Sequence, residues 1–224
     1  MKSWMPNSSH WLLQFDISLL RSPVAIASKY HSPLQRLDNF TLMKLVRTFV
    51  LAASDSTATA LSCIFALLGL HPEWQDAIQK EVDEIFGTGD DYLRPTIDSD
   101  LAQLKVTEAV IKRRLRLPEP AAPPADALPR PRKFDPRRFL EGGGAGTLFP
   151  YSYLPFGAGS RLCLGGRFAM LVMKTTLSMV MRQFRIVASC TREELEEIAV
   201  FIIGKPVRGI RIKCIPRSAP TMKN

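Results

Sequence analysis

The sequence has few of the residues that build metal centres and disulfide frameworks. It contains only four cysteines and three histidines in 224 residues. It has no Cys-x-x-Cys, His-Glu-x-x-His or His-x-x-x-His spacing. This density and spacing argue against a disulfide scaffold and a structural zinc site, and they indicate a reducing compartment. The cysteines are Cys63, Cys163, Cys190 and Cys214.

Long apolar runs are also absent. The longest run covers residues 58–70, which is thirteen residues, whereas a membrane-spanning helix needs about 20. Lys44, Arg47 and Asp55 interrupt any extension toward the N-terminus. The first thirty residues lack the apolar core of a signal peptide. The sequence therefore predicts no transmembrane anchor.

Charges of both signs are present, but they are unevenly placed. The chain carries 30 lysines and arginines against 21 acidic residues, a net charge of +9. Residues 73–100 hold nine acids and two bases, whereas residues 112–138 hold nine bases and three acids. No predicted helix carries a basic stripe with interleaved aromatics, so we do not expect nucleic-acid binding. The basic stretch is either a docking surface for an acidic protein or an ordinary solvated face.

The hydrophobic pattern predicts a mainly α fold with small β pieces. Residues 118–136 hold seven of the 17 prolines, which exclude a helix or a central strand there. Asn39 and Ser99 are the expected N-caps of the first and third helices. The predicted helices cover residues 39–69, 72–86, 100–117 and 166–181, and the predicted strands cover 201–203 and 210–212. The inward face expected for the last helix comprises Phe168, Leu171, Val172, Thr175 and Met179.

A glycine-rich loop places Cys163 directly before a predicted helix. Glycines let the backbone turn tightly and leave room for a flat ligand. The N-terminus of the helix favours a thiolate at Cys163, and Arg161 adds a positive charge and a forked donor for a carboxylate. Phe156 offers an aromatic wall. These properties suit a thiolate that serves as the axial ligand of a haem.

The same loop resembles the haem-ligand signature of the cytochrome P-450 family, Phe-x-x-Gly-x-Arg-x-Cys-x-Gly. The resemblance implies heme b as cofactor, with Cys163 as the iron ligand. The alternative is a glycine-rich turn around a structural cysteine, since a free cysteine is often a small buried apolar residue. The matching positions, and the expected cofactor-binding residues, are Phe156, Gly159, Arg161, Cys163 and Gly165, with Gly157 as the family's additional glycine.

A second stretch, residues 51–57, resembles the oxygen-activating motif on the family's long helix. The resemblance implies catalytic roles for Asp55, Ser56 and Thr57, because an acid beside a hydroxyl can relay protons. A hydroxyl that bonds back to its own helix also distorts that helix locally. The alternative is a polar patch on an amphipathic helix.

The chain departs from the family pattern in two places that bear on the haem side. Arg113 stands where the family's Glu-x-x-Arg motif has its glutamate, and the link before Phe134 is shortened. Removal of one partner from a buried ion pair costs about 3–5 kcal/mol. Three solutions are open: Arg113 turns outward, Glu108 or Glu119 takes the missing role, or the region is remodelled.

The resemblance covers most of residues 40–215 and implies the C-terminal part of the cytochrome P-450 fold. We expect a poorly defined segment over 1–38, a partial haem domain over 39–216 and a tail over 217–224. The implied function is a haem-thiolate monooxygenase that activates dioxygen and hydroxylates a small organic or lipid substrate with electrons from a reductase. The alternative is a truncated or degenerate, non-catalytic member that acts by haem or partner binding.

The resemblance also bears on location. It implies the surface of the endoplasmic reticulum membrane, and the lack of a recognisable anchor or signal leaves a cytoplasmic location open.

Overall fold

The computed structural model divides the chain into two units, Met1–Phe49 and Val50–Asn224. Its described part is mainly helical with small antiparallel strand pairs, which confirms the predicted fold class. The division at residues 38 and 216 stays a prediction. The structure describes residues 38–87, 90–115, 134–140, 153–200 and 203–217.

Six α-helices and four strands make up the regular structure of the described residues. Three short 3₁₀ turns, Asp90–Leu93, Pro136–Phe139 and Gly159–Arg161, lie between them. The helices are α1 Asn39–Leu70, α2 Pro72–Phe86, α3 Asp98–Gln103, α4 Lys105–Leu115, α5 Gly166–Gln183 and α6 Arg192–Glu196. The strands are β1 Phe184–Ala188, β2 Ile198–Val200, β3 Gly204–Pro206 and β4 Ile212–Pro216.

In the first unit, Asp38 rather than Asn39 provides the cap of α1. Its carboxylate Oδ1 accepts a hydrogen bond from the backbone N–H of Thr41 at 2.8 Å. The carbonyl of Asp38 accepts from Leu42 N at 3.0 Å. The hydrogen bonds from Thr41 hold the pKa of Asp38 below its ordinary value. The predicted helix is confirmed, with its cap one residue earlier than expected.

Helix α1 is a candidate membrane span among the described residues, and the expectation of no transmembrane anchor stays a prediction. It is 32 residues long and passes the length and composition test for a membrane-crossing helix, with 22% of the apolar window buried. Lys44, Arg47 and Asp55 do not interrupt it, because a helix tolerates isolated charges that a search for unbroken apolar runs does not. The core helix of a soluble protein passes the same test.

The core of the second unit lies where the end of α1 meets α2, α4 and α5. Helices α2 and α5 contact each other, and both contact α4. Full burial of one large apolar side chain contributes about 1.5–3 kcal/mol, so this cluster dominates the stability of the unit. Fully buried members include Ile64, Leu68, Ile78, Val82, Leu177 and Met181.

Gly69 permits close approach of α1 to β1. A Cβ at this position would lie 2.4 Å from the backbone nitrogen of Ala188. Helix α1 continues to Leu70. The glycine therefore serves packing rather than the helix termination that the sequence indicated.

Two buried polar side chains of α2 tie this helix to its neighbours. Gln75 bonds both backbone groups of Ile186 in β1, donating through Nε2 at 3.0 Å and accepting through Oε1 at 2.5 Å. Glu81 accepts from the backbone N–H groups of Val106 and Thr107 at 2.5 and 2.9 Å. These N–H groups belong to the first turn of α4, where no intrahelical acceptor exists, so the carboxylate caps that helix.

The predicted third helix is divided in two at Leu104, which is fully buried. Neither glycine nor proline marks this break, so the sequence reading missed it. Ser99 is not the N-cap, since α3 begins at Asp98. Instead Asp100 Oδ2 accepts from Ile97 N at 2.9 Å, and its carboxylate pairs with Arg94. That bond from Arg94 holds the pKa of Asp100 below its ordinary value.

The inward face predicted for α5 is wrong. Phe168, Leu171 and Met179 are exposed, and Val172 and Thr175 are half-buried. The face that enters the core includes three polar or charged side chains, which hydrophobic periodicity alone cannot identify. The buried residues of α5 are Gly166, Met173, Lys174, Leu177, Ser178, Met181 and Arg182.

The strands form two separate antiparallel pairs. Strand β1 pairs with β4, with Ile186 opposite Cys214, and β2 pairs with β3. A turn at Gly209, with φ of +70°, follows β3. Part of the predicted strand 201–203 lies outside the described residues, and the second predicted strand lies two residues further on, as β4.

Candidate functional site

The loop that carries Cys163 is a tight hairpin that leads into α5. We call residues 153–165 the cysteine loop. The backbone N–H of Cys163 donates to the carbonyl of Phe156 at 2.8 Å, which closes the hairpin. A 3₁₀ turn lies at its tip, where Leu162 N donates to Gly159 O at 3.2 Å. The backbone therefore fixes the cysteine directly before the helix.

Glycines of this loop answer different structural needs. Gly157 and Gly159 have φ of +76° and +71°, the left-handed region in which other residues are strained. A Cβ on Gly159 or Gly165 would meet nothing within 4 Å, so open space lies beside both. Gly166 is different, because its Cβ would lie 3.1 Å from the Phe156 ring. The ring packs on the start of α5, a role for Gly166 that the sequence reading did not assign.

Cys163 is free and exposed, and it lies among exposed apolar side chains. Leu164 is 88% exposed, and Leu162 and Phe168 are 53% and 55% exposed. Exposed apolar side chains that cluster in this way mark a ligand or partner surface. Accessible sulfur, open glycine positions and apolar neighbours together fit a flat apolar group such as haem. The exposed Arg161 is free to meet a carboxylate of such a group.

The residues predicted for proton relay have contacts away from the cysteine loop. Asp55 Oδ1 accepts from Lys205 Nζ of β3 at 2.5 Å. Ser56 Oγ donates to Ala52 O at 2.7 Å, the back-bond expected for a hydroxyl on this helix. Thr57 is half-buried. Within the residues that the structure describes, no hydrogen bond or ion pair joins Asp55 or Ser56 to the cysteine loop. Their catalytic role stays a prediction.

The position of Arg113 removes one of the three solutions proposed for the missing glutamate. Arg113 is only 1% exposed, so it does not turn outward. Glu108 forms ion pairs with Lys112, at 2.6 Å, and with Lys174. Lys174 is 7% exposed and also donates to Leu101 O at 2.9 Å. Glu108 thus joins α4 to α5 through Lys174. Glu119 lies outside the described residues.

Electrostatics at Glu108 favour its ionised form. Burial raises the pKa of this carboxyl, but the hydrogen bonds from Lys112 and Lys174 outweigh burial, so the pKa lies below its ordinary value. A carboxylate between two ammonium groups is a stable arrangement when the remaining donors find acceptors. The carbonyl of Leu101 is one such acceptor for Lys174.

Arg182 is a second buried cation of α5 that the sequence reading missed. It is 3% exposed and donates to the carbonyls of Tyr92 and Arg94 at 2.7 and 3.0 Å. Its guanidinium lies 3.9 Å from the Phe86 ring centroid. Burial lowers the pKa of Arg182. A sequence signal existed, because Lys174, Ser178 and Arg182 recur every four residues along one face.

A neighbouring polar cluster holds the C-terminal end of strand β4 in place. Arg217 Nη2 pairs with Asp83 Oδ2 at 2.8 Å, and the Tyr92 hydroxyl donates to Asp83 Oδ1 at 2.6 Å. Burial and the bond to Asp83 raise the pKa of Tyr92 to about 12. Tyr92 therefore keeps its proton at neutral pH, and the cluster acts as a structural tie.

Comparison with known proteins identifies the relatives of this chain. The family model described as Cytochrome P450 matches residues 14–123 and 125–213. Cytochrome P450 4c3 of Drosophila melanogaster is 33% identical over 213 residues, covering 81% of this chain and 39% of that protein. Human Cytochrome P450 4V2 is 34% identical over 216 residues, covering 82% of this chain and 40% of that protein. The chain therefore spans about 40% of the length of the curated relatives it matches.

Proposed function

The chain belongs to the cytochrome P450 family, and on that premise we propose that it binds heme b through the thiolate of Cys163. The observation that carries the proposal is the cysteine loop. Its hairpin holds an exposed cysteine between the left-handed glycines and the start of α5. Cys63 and Cys190 are buried, as structural cysteines often are, and the exposed Cys214 lies on strand β4, so Cys163 alone of the four is an exposed cysteine in a glycine-rich loop.

Six residues of the cysteine loop have a defined role in this proposal. Cys163 supplies the iron ligand, and Gly157 and Gly159 allow the turn that presents it. Gly165 leaves open space next to the loop for the cofactor. Arg161 acts at the edge of the site, and Phe156 acts at its wall. Arg161 donates to a carboxylate of the cofactor, and Phe156 supports the loop from behind by packing on Gly166.

When bound, the haem supplies reductive activation of dioxygen and transfer of one oxygen atom to a C–H bond of a small organic or lipid substrate. The chain's own residues handle protons. Asp55 would hold a proton once its carboxylate exchanges Lys205 for water, and Ser56 Oγ would donate once it releases Ala52 O. Thr57 is the second hydroxyl of this relay.

The proposal includes partners and a location. Electrons come from a reductase, and the basic excess over residues 112–138 suits an acidic docking face. We place the chain at the surface of the endoplasmic reticulum membrane. Family membership supports that location.

A second candidate function is haem or partner binding without catalysis. The specific observation in its favour is the buried Arg113, which stands where the family motif has a glutamate. A carboxylate lost from that motif alters the support of the haem side, although the Glu108–Lys174 pair provides another ion-paired contact between α4 and α5.

Oxygen-isotope labelling distinguishes the two candidates. The purified chain, loaded with haem, is incubated with a reductase, dodecanoic acid and isotopically labelled dioxygen, and the product is analysed by mass spectrometry. We expect one labelled oxygen atom in a hydroxylated product. Cys163→Ala should abolish it, whereas Cys214→Ala removes another exposed free cysteine and should not. Haem retention without labelled product would favour the non-catalytic function.

A further inference from the structure

A cavity of about 340 Å³ lies between α4, the start of the cysteine loop and the first half of α5. Its apolar wall is formed by Pro155, Phe156, Met170 and Leu171. Ligand pockets in proteins hold about 300–1,000 Å³, so this volume suits a small molecule rather than a large cofactor. Of the family's expected haem contacts, Phe156 lines this cavity, whereas Cys163 and Arg161 are not among its lining residues in the described part of the chain.

The charged side chains around this cavity are unbalanced. Three cations, Lys112, Arg167 and Lys174, face a single carboxylate, that of Glu108, which leaves a net charge of +2. Glu108 is already paired with both lysines. The carboxylate therefore cannot neutralise the guanidinium as well.

Arg167 is the cation that remains for a ligand. It lies in the first turn of α5 and is exposed. Among the residues that the structure describes, it makes no hydrogen bond or ion pair with another side chain. A guanidinium at the edge of an apolar cavity provides two parallel donors, a geometry that matches a carboxylate or sulfonate.

We propose that this cavity binds a small amphipathic anion, with its apolar body against Phe156, Met170 and Leu171 and its acidic group on Arg167. The apolar wall supplies affinity through buried area, and the guanidinium supplies the preference for an anion. The ligand would share a wall with the cysteine loop, because the carbonyl of Phe156 accepts the N–H of Cys163. A ligand in this cavity would therefore contact the cysteine loop without contacting Cys163 itself.

A matched pair of probes tests the proposal directly. Naphthalenesulfonate and the uncharged naphthalenesulfonamide have the same apolar body, and each is titrated into the full 224-residue chain by calorimetry. We expect saturable, one-to-one binding of the sulfonate and weaker binding of the sulfonamide. Arg167→Gln should weaken binding of the sulfonate about fivefold and leave binding of the sulfonamide unchanged, as expected for the loss of one exposed charge contact.

Two further variants keep the test sharp. Arg185→Gln removes an exposed arginine that pairs with Asp76 in a different part of the unit and should leave both affinities unchanged. Leu171→Asp places a negative charge on the wall of the cavity and should reject the sulfonate more strongly than the sulfonamide. Circular dichroism confirms that each variant retains its helices. Absence of saturable binding, equal affinity for the two probes, or equal effects of the two arginine substitutions would overturn the proposal.

Discussion

The two faces of α5 differ from those of a simple amphipathic helix, because polar side chains join Met173, Leu177 and Met181 in the core and apolar side chains remain exposed. Its core face carries Lys174, Ser178 and Arg182, whereas its exposed face carries Phe168 and Leu171. Each buried cation donates to a backbone carbonyl outside the helix, Lys174 to Leu101 O and Arg182 to Tyr92 O. These directional hydrogen bonds, together with hydrophobic packing, determine which side of α5 faces the core. The exposed apolar face stays available beside Cys163. Polar contacts in the core thus leave apolar surface for binding.

The most direct test of the difference between the two faces of α5 is a leucine-to-alanine substitution on each face. Leu177→Ala should lower the free energy of unfolding by about 3 kcal/mol, because it leaves a cavity in the core. Leu171→Ala should lower it by less than about 1 kcal/mol, since this side chain is exposed. Urea denaturation followed by circular dichroism measures both. Equal losses would show that the two faces are not distinct.

Removal of a buried cation tests whether the core face depends on its polar contacts. Arg182→Ala leaves the carbonyls of Tyr92 and Arg94 without this donor, and we expect a loss of about 2 kcal/mol in the free energy of unfolding. Arg185→Ala, on an exposed arginine of the next strand, should cost under about 1 kcal/mol. Denaturant unfolding of the two variants side by side provides the measurement. Similar costs would contradict the orienting role of Arg182.

A smaller effect is expected at Glu108, which joins α4 to α5. Glu108→Gln keeps the size of the side chain but leaves the buried Lys174 without its carboxylate, at a cost of about 1.5 kcal/mol. The control is Glu84→Gln, which weakens an exposed pair with Lys80 and should be nearly neutral. Thermal and urea unfolding would detect the difference. A neutral Glu108→Gln would mean that the lysines find equivalent acceptors without it.

The pH dependence of unfolding sharpens the same point. The pKa of Glu108 is lowered in the folded chain, so its contribution is present above its ordinary value of 4.5 and is lost as pH falls through the folded-state pKa. The deficit of Glu108→Gln relative to wild type should therefore shrink on acidification. Urea midpoints from neutral pH to about pH 3 measure it. A constant deficit would separate the effect from ionisation.

The exposed face should show the smallest effect on stability and a measurable effect on binding. Phe168→Ser is expected to change the free energy of unfolding by less than about 0.5 kcal/mol, because the ring is 55% exposed. Haem retention should fall nonetheless, since the ring belongs to the apolar patch beside Cys163. Absorbance after gel filtration of the haem-loaded chain measures retention. Unchanged haem retention would show that the exposed face of α5 does not contribute to cofactor binding.

Local patterns predicted the parts of the molecule whose contacts are local. The cysteine loop was predictable because its turn glycines, its cysteine and the helix that follows are adjacent in sequence. The predicted helices at residues 39–69 and 72–86 are confirmed for the same reason. In each case the residues that specify the conformation also adopt it.

Long-range polar contacts account for what the sequence reading missed. The inward face of α5 depends on Lys174 reaching Leu101 and on Arg182 reaching Tyr92, partners that periodicity does not reveal. Gly69 is required by its approach to Ala188, far along the chain. The burial of Arg113 likewise depends on tertiary structure. The sequence does not reveal it, because a run of basic residues is typical of a solvent-exposed helix face.

The central claim, that Cys163 holds a haem iron in a folded site, is tested most directly by one absorption spectrum. The haem-loaded chain is reduced and exposed to carbon monoxide, and the position of the Soret band is recorded. The account predicts the strongly red-shifted band typical of thiolate ligation in wild type and in Cys214→Ala, and its loss in Cys163→Ala. A band at the position of free haem in wild type, or an unchanged band in Cys163→Ala, would contradict it.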